Sequence, residues 1–203
     1  MNASRITSRF VLALALAWCT GAMGGFDHKV PFDESGIWDR DVQKGVQYAT
    51  VAVILGGALW EGGETRFGRT NWQAIDSIAI GAVTSEVAKR VFSRARPSQT
   101  DDPNQWFKGS GHESFPSGEV TLVSAAVAPF VFEYSKDSPW VWALELLPLY
   151  DAVARVKSQA HWQSDVLAGW AVGTAAGYVA HAHGPFILEV LPHTFVVGVH
   201  KQW

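Results

Sequence analysis

The stretch Ser114–Val120, SFPSGEV, marks the start of a helix in the middle of the chain. Proline, serine and glycine precede an apolar run, which is an order typical of a helix N-terminus. The exposed backbone N–H groups and the positive dipole end of such a helix suit an anion such as phosphate. Glu119 is itself an anion, so the stretch predicts either a phosphate site or a helix that its own carboxylate caps.

The composition limits the class of protein. The chain has 203 residues and a formal net charge of −3, and this length suits one domain with its own hydrophobic core. The slightly acidic balance gives no electrostatic footprint for nucleic acid, so no nucleic-acid partner is expected. No oligomeric state is predicted.

Residues 1–22 predict a signal peptide. Arg5 and Arg9 precede a nine-residue apolar core, Phe10–Trp18, and small residues allow cleavage after Ala22. We therefore expect an exported domain, residues 23–203, in a bacterial periplasm. Because the single cysteine, Cys19, lies inside the predicted signal, the mature domain would have no disulfide, thiol nucleophile or cysteine metal site.

The uncharged stretches argue against membrane-spanning helices. Gly45–Trp60 has 16 residues and Val120–Phe132 has 13, whereas a spanning helix needs about 20. Val166–Leu188 is longer, but it contains four glycines and a proline. With a mean hydropathy of +0.05, we expect a soluble or peripherally membrane-associated protein rather than an integral one. The ten tryptophans are compatible with peripheral contact with a lipid interface.

The hydrophobic periodicity predicts an all-α fold, a compact bundle of about five to six helices. The predicted helices are Asp41–Trp60, Trp72–Phe92, Ser117–Tyr134, Pro139–Arg155 and Trp162–His181. The β-branched C-terminal tail predicts a short strand or a strap. The glycine-rich loop 62–71 and the loop Ser98–Phe115 are predicted to form the rim of a substrate site, since long loops in compact domains are usually functional or disordered. Trp106 and Phe107 in the second loop would either meet a lipid or anchor the loop.

Two further clusters carry candidate chemistry. Lys89–Pro97, KRVFSRARP, places several cations at a helix end, where they would also complement the helix dipole without binding anything. Farther along, His161 and Asp165 are four residues apart, on one face of the fifth helix. The carboxylate would hold one imidazole nitrogen protonated and leave the other as a nucleophile. A buried histidine with a carboxylate partner would give the same pattern.

Three glycines continue the spacing of the second cluster. Gly169, Gly173 and Gly177 recur every four residues, so a close helix–helix contact is expected beneath the His161–Asp165 pair.

In this order and at these gaps, the three clusters resemble a known family. Lys-x6-Arg-Pro, Pro-Ser-Gly and Arg-x5-His-x3-Asp lie within the 77 residues from Lys89 to Asp165. They are similar to the motifs of the type 2 phosphatidic acid phosphatase (PAP2) superfamily, which includes bacterial acid phosphatases and vanadium haloperoxidases. The resemblance implies a metal- and cofactor-independent phosphatase. Its substrate would be a phosphate monoester or diphosphate, soluble or lipid, and vanadate would inhibit it.

The resemblance also implies roles for individual residues. Lys89, Arg96 and Arg155 would hold the phosphoryl oxygens, and Ser117 with the amide of Gly118 would add hydrogen bonds. Such an arrangement is physically sensible, because phosphoryl transfer depends chiefly on positioning and charge stabilisation.

The nucleophile implied by the resemblance is His161, which would form a phosphohistidine while Asp165 orients it. A haloperoxidase activity is not expected, because that chemistry relies on a histidine that this chain lacks.

That histidine follows Pro-Ser-Gly in the family and acts as general acid, whereas this chain has Glu119. Ala154, in place of a serine, is a minor departure. A free glutamate has a pKa of about 4.3, and neighbouring cations would lower it. Glu119 would then be ionised, and loss of general-acid catalysis typically slows a reaction by about 10²–10⁴-fold.

Four explanations are open for Glu119. It could act as the acid at low pH, or His112 could replace it. The substrate could be a diphosphate ester, whose leaving group needs little protonation. Alternatively, catalysis is impaired, and Glu119 pairs with Lys89 or Arg155 in a protein that binds phosphate or a lipid headgroup. We favour retained hydrolysis, because the nucleophile, Asp165 and all three cations are present.

Overall fold

The computed structural model describes residues 25–185, 188–191 and 194–197. The predicted signal peptide, residues 1–22, lies outside the described residues. The described chain contains five α-helices, as the sequence predicted: α1 Arg40–Glu61, α2 Arg66–Phe92, α3 Gly118–Tyr134, α4 Leu146–Lys157 and α5 Gln163–His183. Short 3-10 helices, Gly36–Trp38 and Pro139–Glu145, precede α1 and α4.

The helices alternate in direction, so that α1, α3 and α5 begin at the end of the bundle where α2 and α4 finish. Arg40 at the start of α1 and Arg155 near the end of α4 both pair with Glu119 in the first turn of α3. Lys89, near the end of α2, lies against Gly118. We call this end of the bundle the motif end, because it collects the sequence motifs.

The centre of the bundle is the contact between α3 and α5. A Cβ atom added at Gly169 would lie 2.5 Å from the carbonyl oxygen of Ser117, and one at Gly173 would lie 2.5 Å from that of Thr121. At Gly177 it would come within 2.5 Å of the Ala128 side chain. The three glycines therefore let the two backbones touch, which confirms the close contact expected from their spacing.

The second helix starts earlier than predicted. The sequence indicated a loop up to Asn71, but α2 begins at Arg66, because the side chain of Thr65 accepts a hydrogen bond from the N–H of Gly68 at 2.9 Å. The cap stabilises a first turn that the glycine and arginine composition had hidden.

The loop 62–71 does not form a rim of the motif end, contrary to the sequence prediction. Arg66 pairs with Glu133 and Asp137 at the C-terminal end of α3. At 1.5 Å per residue, α3 separates these residues from Ser117 by roughly 25 Å. The first of the two predicted rim segments therefore lies at the opposite end of the bundle.

The fourth predicted helix is two elements rather than one. Pro139–Glu145 is a 3-10 helix, and the α-helix starts only at Leu146. Pro148 falls in the first turn of α4, where a missing N–H breaks no helical hydrogen bond.

The C-terminal tail contains the short strand that the sequence indicated. Strand β1, Leu188–Leu191, pairs antiparallel with β2, Thr194–Val197, with Leu188 opposite Val197 and Leu191 opposite Thr194. This hairpin leaves the all-α class of the bundle unchanged.

The outer face of the bundle carries large apolar side chains. Val53 and Trp60 on α1 are 70% and 88% exposed, and Trp140 in the second 3-10 helix is 84% exposed. Among the described residues, no helix is both long enough and apolar enough to cross a membrane.

Replacing Gly173 by alanine should destabilise the fold, because the new methyl group would meet the α3 backbone at 2.5 Å. Overpacking of this kind typically costs about 1–3 kcal/mol, and the loss is measured as a lower melting temperature by circular dichroism.

Gly56→Ala on α1 is the matched control, since among the described residues no atom beyond its own helical turns lies within 4 Å of its added Cβ. Alanine in an open helical position stabilises by roughly 0.5–1 kcal/mol. An equal or higher melting temperature for Gly173→Ala would contradict the close contact.

Candidate active site

The motif end brings the predicted phosphate-binding residues to the start of α3. Gly118 packs so closely on Lys89 that an added Cβ would lie 2.9 Å from the ammonium nitrogen. The N–H of Ser117 donates to the carbonyl oxygen of Asp165 at 2.9 Å, which joins the start of α3 to that of α5. The motifs are therefore adjacent in space, although their roles remain predictions.

The sequence predicted that His161 lies on the fifth helix. In the structure it lies just before α5, which starts at Gln163. Its side chain is buried, and its Nδ1–H group donates to the carbonyl oxygen of Ser114 at 2.6 Å. That bond fixes the proton on Nδ1 and leaves the Nε2 lone pair available.

The imidazole of His161 is also kept neutral. Burial, followed by the positive charges of Arg155 and Arg96, lowers the pKa of His161 well below 6.5. Lys89 acts in the same direction. A neutral imidazole surrounded by cations is a suitable nucleophile for an anionic phosphoryl group.

Asp165 contacts His161 less directly than predicted. Its Oδ2 atom lies 4.0 Å from His161 Nδ1, beyond hydrogen-bond distance. Instead, Ser114 connects them, because its hydroxyl donates to Asp165 Oδ2 at 2.5 Å while its carbonyl accepts from His161. The i, i+4 spacing was a correct sign of proximity, but His161 precedes the helix and so leaves the shared face.

Asp165 also begins α5. From the third position of the helix, its carboxylate accepts the N–H of the N-cap residue Trp162 at 2.9 Å. This cap fixes the carboxylate independently of His161.

A buried ion-pair cluster that was not predicted from the sequence lies behind Asp165. Arg94, which is 1% exposed, donates to Asp165 at 2.5 Å and to Asp27 at 2.7 Å. The guanidinium also lies 4.3 Å from the ring centroid of Trp106, a cation–π contact. Arg94 stands inside the first motif, but Asp27 belongs to the extended N-terminal segment, where no pattern marked it.

Arg96 bridges two loops of the motif end. Its guanidinium donates to the carbonyl oxygen of Ala160 at 3.1 Å and to that of Glu113 at 3.2 Å. These residues directly precede His161 and Ser114. Arg96 therefore connects the loop that carries the imidazole with the loop that carries its hydrogen-bond acceptor.

Two buried donors at the motif end make no hydrogen bond among the described residues. The hydroxyl of Ser117 is fully buried without a hydrogen bond, and so is the Nε–H group of Arg155, which is 7% exposed as a residue. Buried polar atoms are rarely left unpaired. An anion bound at this end would satisfy the Ser117 hydroxyl. The Nε atom of Arg155 has an ion-pair contact with Glu119, but no hydrogen bond.

Glu119 is held by an arginine that the sequence analysis did not single out. Arg40 donates through both terminal nitrogens, to Oε2 at 2.6 Å and to Oε1. Gln47 donates to Oε2 at 3.0 Å, and Arg155 Nε lies 3.3 Å from the same oxygen. The carboxylate therefore pairs with Arg155, one of the two predicted partners, but chiefly with Arg40.

This pairing keeps Glu119 ionised. Burial alone would raise the pKa of Glu119, but the Arg40 hydrogen bonds and the charge of Arg155 outweigh it and lower the pKa to about 2. A carboxyl with this pKa has no proton to give at neutral or mildly acidic pH. The explanation that Glu119 acts as the acid at low pH would apply only near pH 2.

A second carboxyl lies behind Glu119. Gln47 donates at 3.0 Å to Asp151 Oδ1 as well as to Glu119, so one amide group links the two acids. Burial, followed by the charge of Glu119, raises the pKa of Asp151 to about 6. Asp151 Oδ2 is buried and has no hydrogen-bond partner among the described residues.

The predicted rim loop Ser98–Phe115 does reach the motif end, through Glu113 and Ser114. Trp106 anchors it by edge contacts with Phe92 and Phe115, while Phe107 is 69% exposed.

His112 is half-buried in the same loop. In the described part of the chain it makes no hydrogen bond or ion pair with a motif residue, and its Nδ1 atom has no partner. Its proposed role as a substitute acid remains a prediction.

No group of three or more histidine, cysteine, aspartate or glutamate side chains that could hold a metal ion occurs within residues 25–185 or the described strands. The expectation of metal-independent chemistry remains a prediction.

Replacing Asp27 by alanine should destabilise the protein, because Arg94 would lose one of its two buried carboxylates. Breaking a buried ion pair from one side typically costs about 3–5 kcal/mol. The melting temperature measures the loss.

Asp101→Ala is the matched control. Asp101 pairs with Lys29, but its side chain is 86% exposed, so its removal should change the melting temperature little. Equal effects of the two substitutions would contradict a structural role for the Asp27–Arg94 pair.

Asp151→Asn should stabilise the protein more at pH 8 than at pH 5. Since the pKa of Asp151 rises from 3.8 to about 6 on folding, its contribution to stability is complete below pH 3.8 and is lost as the pH rises through about 6. Asparagine stays neutral at both pH values.

The difference in melting temperature between Asp151→Asn and the unsubstituted protein is compared at pH 5 and pH 8. Asp101→Asn serves as the exposed control. A difference that does not change with pH would mean that Asp151 titrates normally.

Comparisons with known proteins agree with the geometry of the motif end. The family model of the PAP2 superfamily matches residues 71–186. An undecaprenyl-diphosphatase from Sulfolobus acidocaldarius is 28% identical over 106 residues, which are 51% of this chain and 50% of that protein. A lipid A 1-phosphatase from Porphyromonas gingivalis is 32% identical over 94 residues, or 46% of this chain and 19% of that protein. The match thus spans half or less of each relative's length.

Two solved structures share the fold. The crystal structure of Aquifex aeolicus LpxE has a TM-score of 0.50 and 19% identity, and it covers 68% of this chain and 82% of its own. A transmembrane PAP2-type phosphatidylglycerolphosphate phosphatase from Bacillus subtilis has a TM-score of 0.51 and 18% identity. This match covers 73% of the present chain and 77% of the Bacillus subtilis chain.

The comparisons contradict the localisation expected from the sequence. A soluble or peripherally attached periplasmic protein was predicted, whereas the Bacillus subtilis phosphatase with the same fold is a transmembrane protein. The prediction is therefore wrong. It relied on a mean hydropathy that averages polar motif residues with apolar outer faces such as that of Val53 and Trp60.

The three motifs meet at one end of a helical bundle whose fold recurs in two solved structures. The family model covers more than half of the 203 residues, and the chain therefore belongs to the PAP2 superfamily.

Proposed function

We propose that this chain is a phosphatase that hydrolyses a phosphate monoester or diphosphate, with a lipid as the phosphate carrier. The observation that carries the proposal is the state of His161, which is buried and neutral. Its Nδ1–H group donates to Ser114, and its Nε2 atom has no hydrogen bond among the described residues. The named activities of the relatives, undecaprenyl-diphosphatase and lipid A 1-phosphatase, support a lipid phosphate as the substrate.

The proposed reaction proceeds through a phosphohistidine. His161 Nε2 attacks phosphorus while Lys89, Arg96 and Arg155 balance the charge on the phosphoryl oxygens. The Ser117 hydroxyl and the Gly118 amide add hydrogen bonds at the start of α3. Water then hydrolyses the intermediate and regenerates the imidazole. The charge stabilisation comes from the side chains and the helix N-terminus, so the proposed mechanism requires no metal ion or other cofactor.

Asp165 has an indirect role in this proposal. It fixes Ser114 through the hydroxyl group, and Ser114 in turn fixes the His161 ring through its carbonyl oxygen. Asp165 is therefore a positioning residue.

An impaired protein that only binds phosphate or a lipid headgroup is the second candidate function. The ionised state of Glu119, whose pKa is about 2, favours it, because the position that carries the general acid in the resembling family offers no proton here. An intact enzyme would then require a substrate whose leaving group departs as an anion.

Replacing His161 by alanine should abolish phosphate release, because the covalent step loses its nucleophile. The assay measures phosphate released from an isoprenyl diphosphate, from phosphatidic acid and from small monoesters between pH 4 and 8. Vanadate, which mimics the transition state of phosphoryl transfer, should inhibit the unsubstituted protein.

His183→Ala is the matched control, since His183 is exposed in the last turn of α5, far from the motif end, and should leave release unchanged. Release that survives in His161→Ala would refute the phosphohistidine. Binding of phosphate without release from any substrate would instead favour the impaired protein.

A further inference from the structure

We propose that Arg40 is a further substrate-binding residue, which binds the departing phosphate of a diphosphate ester while Glu119 holds the guanidinium in place. This inference rests on the proposed function and narrows its substrate class. It assigns a role to α1, which contributes none of the sequence motifs.

The guanidinium of Arg40 has one occupied edge and one free edge. Glu119 accepts from both terminal nitrogens, and Gln43 Oε1 accepts a further bond from Nη1 at 3.3 Å. Among the described residues, no acceptor pairs with Nε–H or with the second hydrogen of Nη2. These two groups form the side-on edge of the guanidinium, which matches two oxygens of a phosphate.

Arg40 is also accessible to a ligand. Its side chain is 30% exposed and that of Glu119 is 27% exposed, whereas Arg155 is buried. The carboxylate of Glu119 therefore separates a buried arginine on the phosphoryl side from a half-exposed arginine on the solvent side. A ligand with two linked phosphates would span from one to the other.

The position of Glu119 indicates on which side of the phosphoryl site the leaving group lies. In the resembling family this position carries the acid that protonates the leaving group, so it marks the leaving-group side of the phosphoryl site. Here the same position anchors an arginine. The change removes a proton donor and supplies a cation, which suits a leaving group that departs as an anion.

The charges of the motif end suit a diphosphate as well. Arg40 neutralises Glu119, so the carboxylate does not repel phosphate as an unpaired one would. Lys89, Arg96 and Arg155 then remain for the transferred phosphoryl group. Asp151 is the other carboxyl of this network, and its raised pKa of about 6 reduces its opposing charge below that pH.

The reaction balances without a general acid. His161 Nε2 forms a bond to the terminal phosphorus, the bond from that phosphorus to the bridging oxygen breaks, and its electron pair stays on the oxygen. The product is a phosphate monoester anion, whose conjugate acid has a pKa of about 6, so it leaves unprotonated. Water then bonds to phosphorus, the P–N electron pair returns to Nε2, and one proton passes to solvent.

The test compares two substrates that both leave without a proton donor. Geranyl diphosphate carries a second phosphate, whereas p-nitrophenyl phosphate has a stable aryl-oxide leaving group and only one phosphate. Arg40→Gln should lower the ratio of kcat/KM for geranyl diphosphate to that for p-nitrophenyl phosphate by about 10- to 100-fold, the usual effect of a charge-assisted hydrogen-bond pair. Arg40→Lys, which keeps the charge but loses the fork, should lower the ratio less.

Arg90→Gln is the matched control. Arg90 lies in the last turn of α2, at the motif end, but its side chain is 75% exposed and pairs with Glu86. Arg90→Gln should therefore leave the ratio of the two kcat/KM values unchanged. A ratio that is also unchanged in Arg40→Gln, or an equal loss for both substrates, would overturn the inference, because a purely structural ion pair affects both reactions alike.

A binding measurement separates this inference from the proposed function. By titration calorimetry, the unsubstituted protein should bind methylenediphosphonate more tightly than inorganic phosphate, and Arg40→Gln should remove most of that preference. This result without any hydrolysis would refute the proposed function and support the role of Arg40. Hydrolysis without a preference for the diphosphonate would support the proposed function and refute the role of Arg40. A melting curve of each variant checks that it is folded.

Discussion

The direct backbone contact between α3 and α5 is the constraint on which the rest of the structure depends. Gly169 and Gly173 allow the helices to approach without intervening side chains. As a result, the start of α3 lies beside the start of α5, and the Ser117 amide reaches the Asp165 carbonyl. A wider spacing would separate the helix N-terminus from the imidazole. The geometry of the candidate site is therefore set by main-chain atoms before any charged side chain contributes.

The charged groups of the motif end form two sets with different surroundings. Arg94 and its two carboxylates are buried and fully paired behind the imidazole, so they act as scaffold. In front of it, the guanidinium of Arg155 is buried but incompletely bonded. Paired charges give rigidity, whereas incompletely paired ones are available to a ligand. This division explains why Arg94 acts as scaffold, whereas Arg155 is suited to phosphate binding.

The sequence predicted the features that depend on local order. Helix periodicity, the Pro-Ser-Gly start and the glycine spacing gave five helices and their closest contact. No sequence pattern marks Arg40 or Asp27, because pairing across 79 residues, as between Arg40 and Glu119, leaves no periodic signal. The predicted start of α2 was also too late, since a threonine cap inside a glycine-rich stretch resembles a loop. The side-chain network around Glu119 could therefore be read only from the fold.

The alternation of the five helices in the described part of the chain has an electrostatic consequence of its own. An odd number of antiparallel elements places three N-termini and two C-termini at the motif end, so the partial charges of the helix ends do not cancel. At about half an elementary charge per terminus, a positive remainder persists whatever the side chains are. The opposite end has the reverse imbalance, and there Arg66 donates to the Glu133 carbonyl oxygen near the end of α3. Because the number of these antiparallel helices is odd, their dipoles favour anion binding at one end of the bundle.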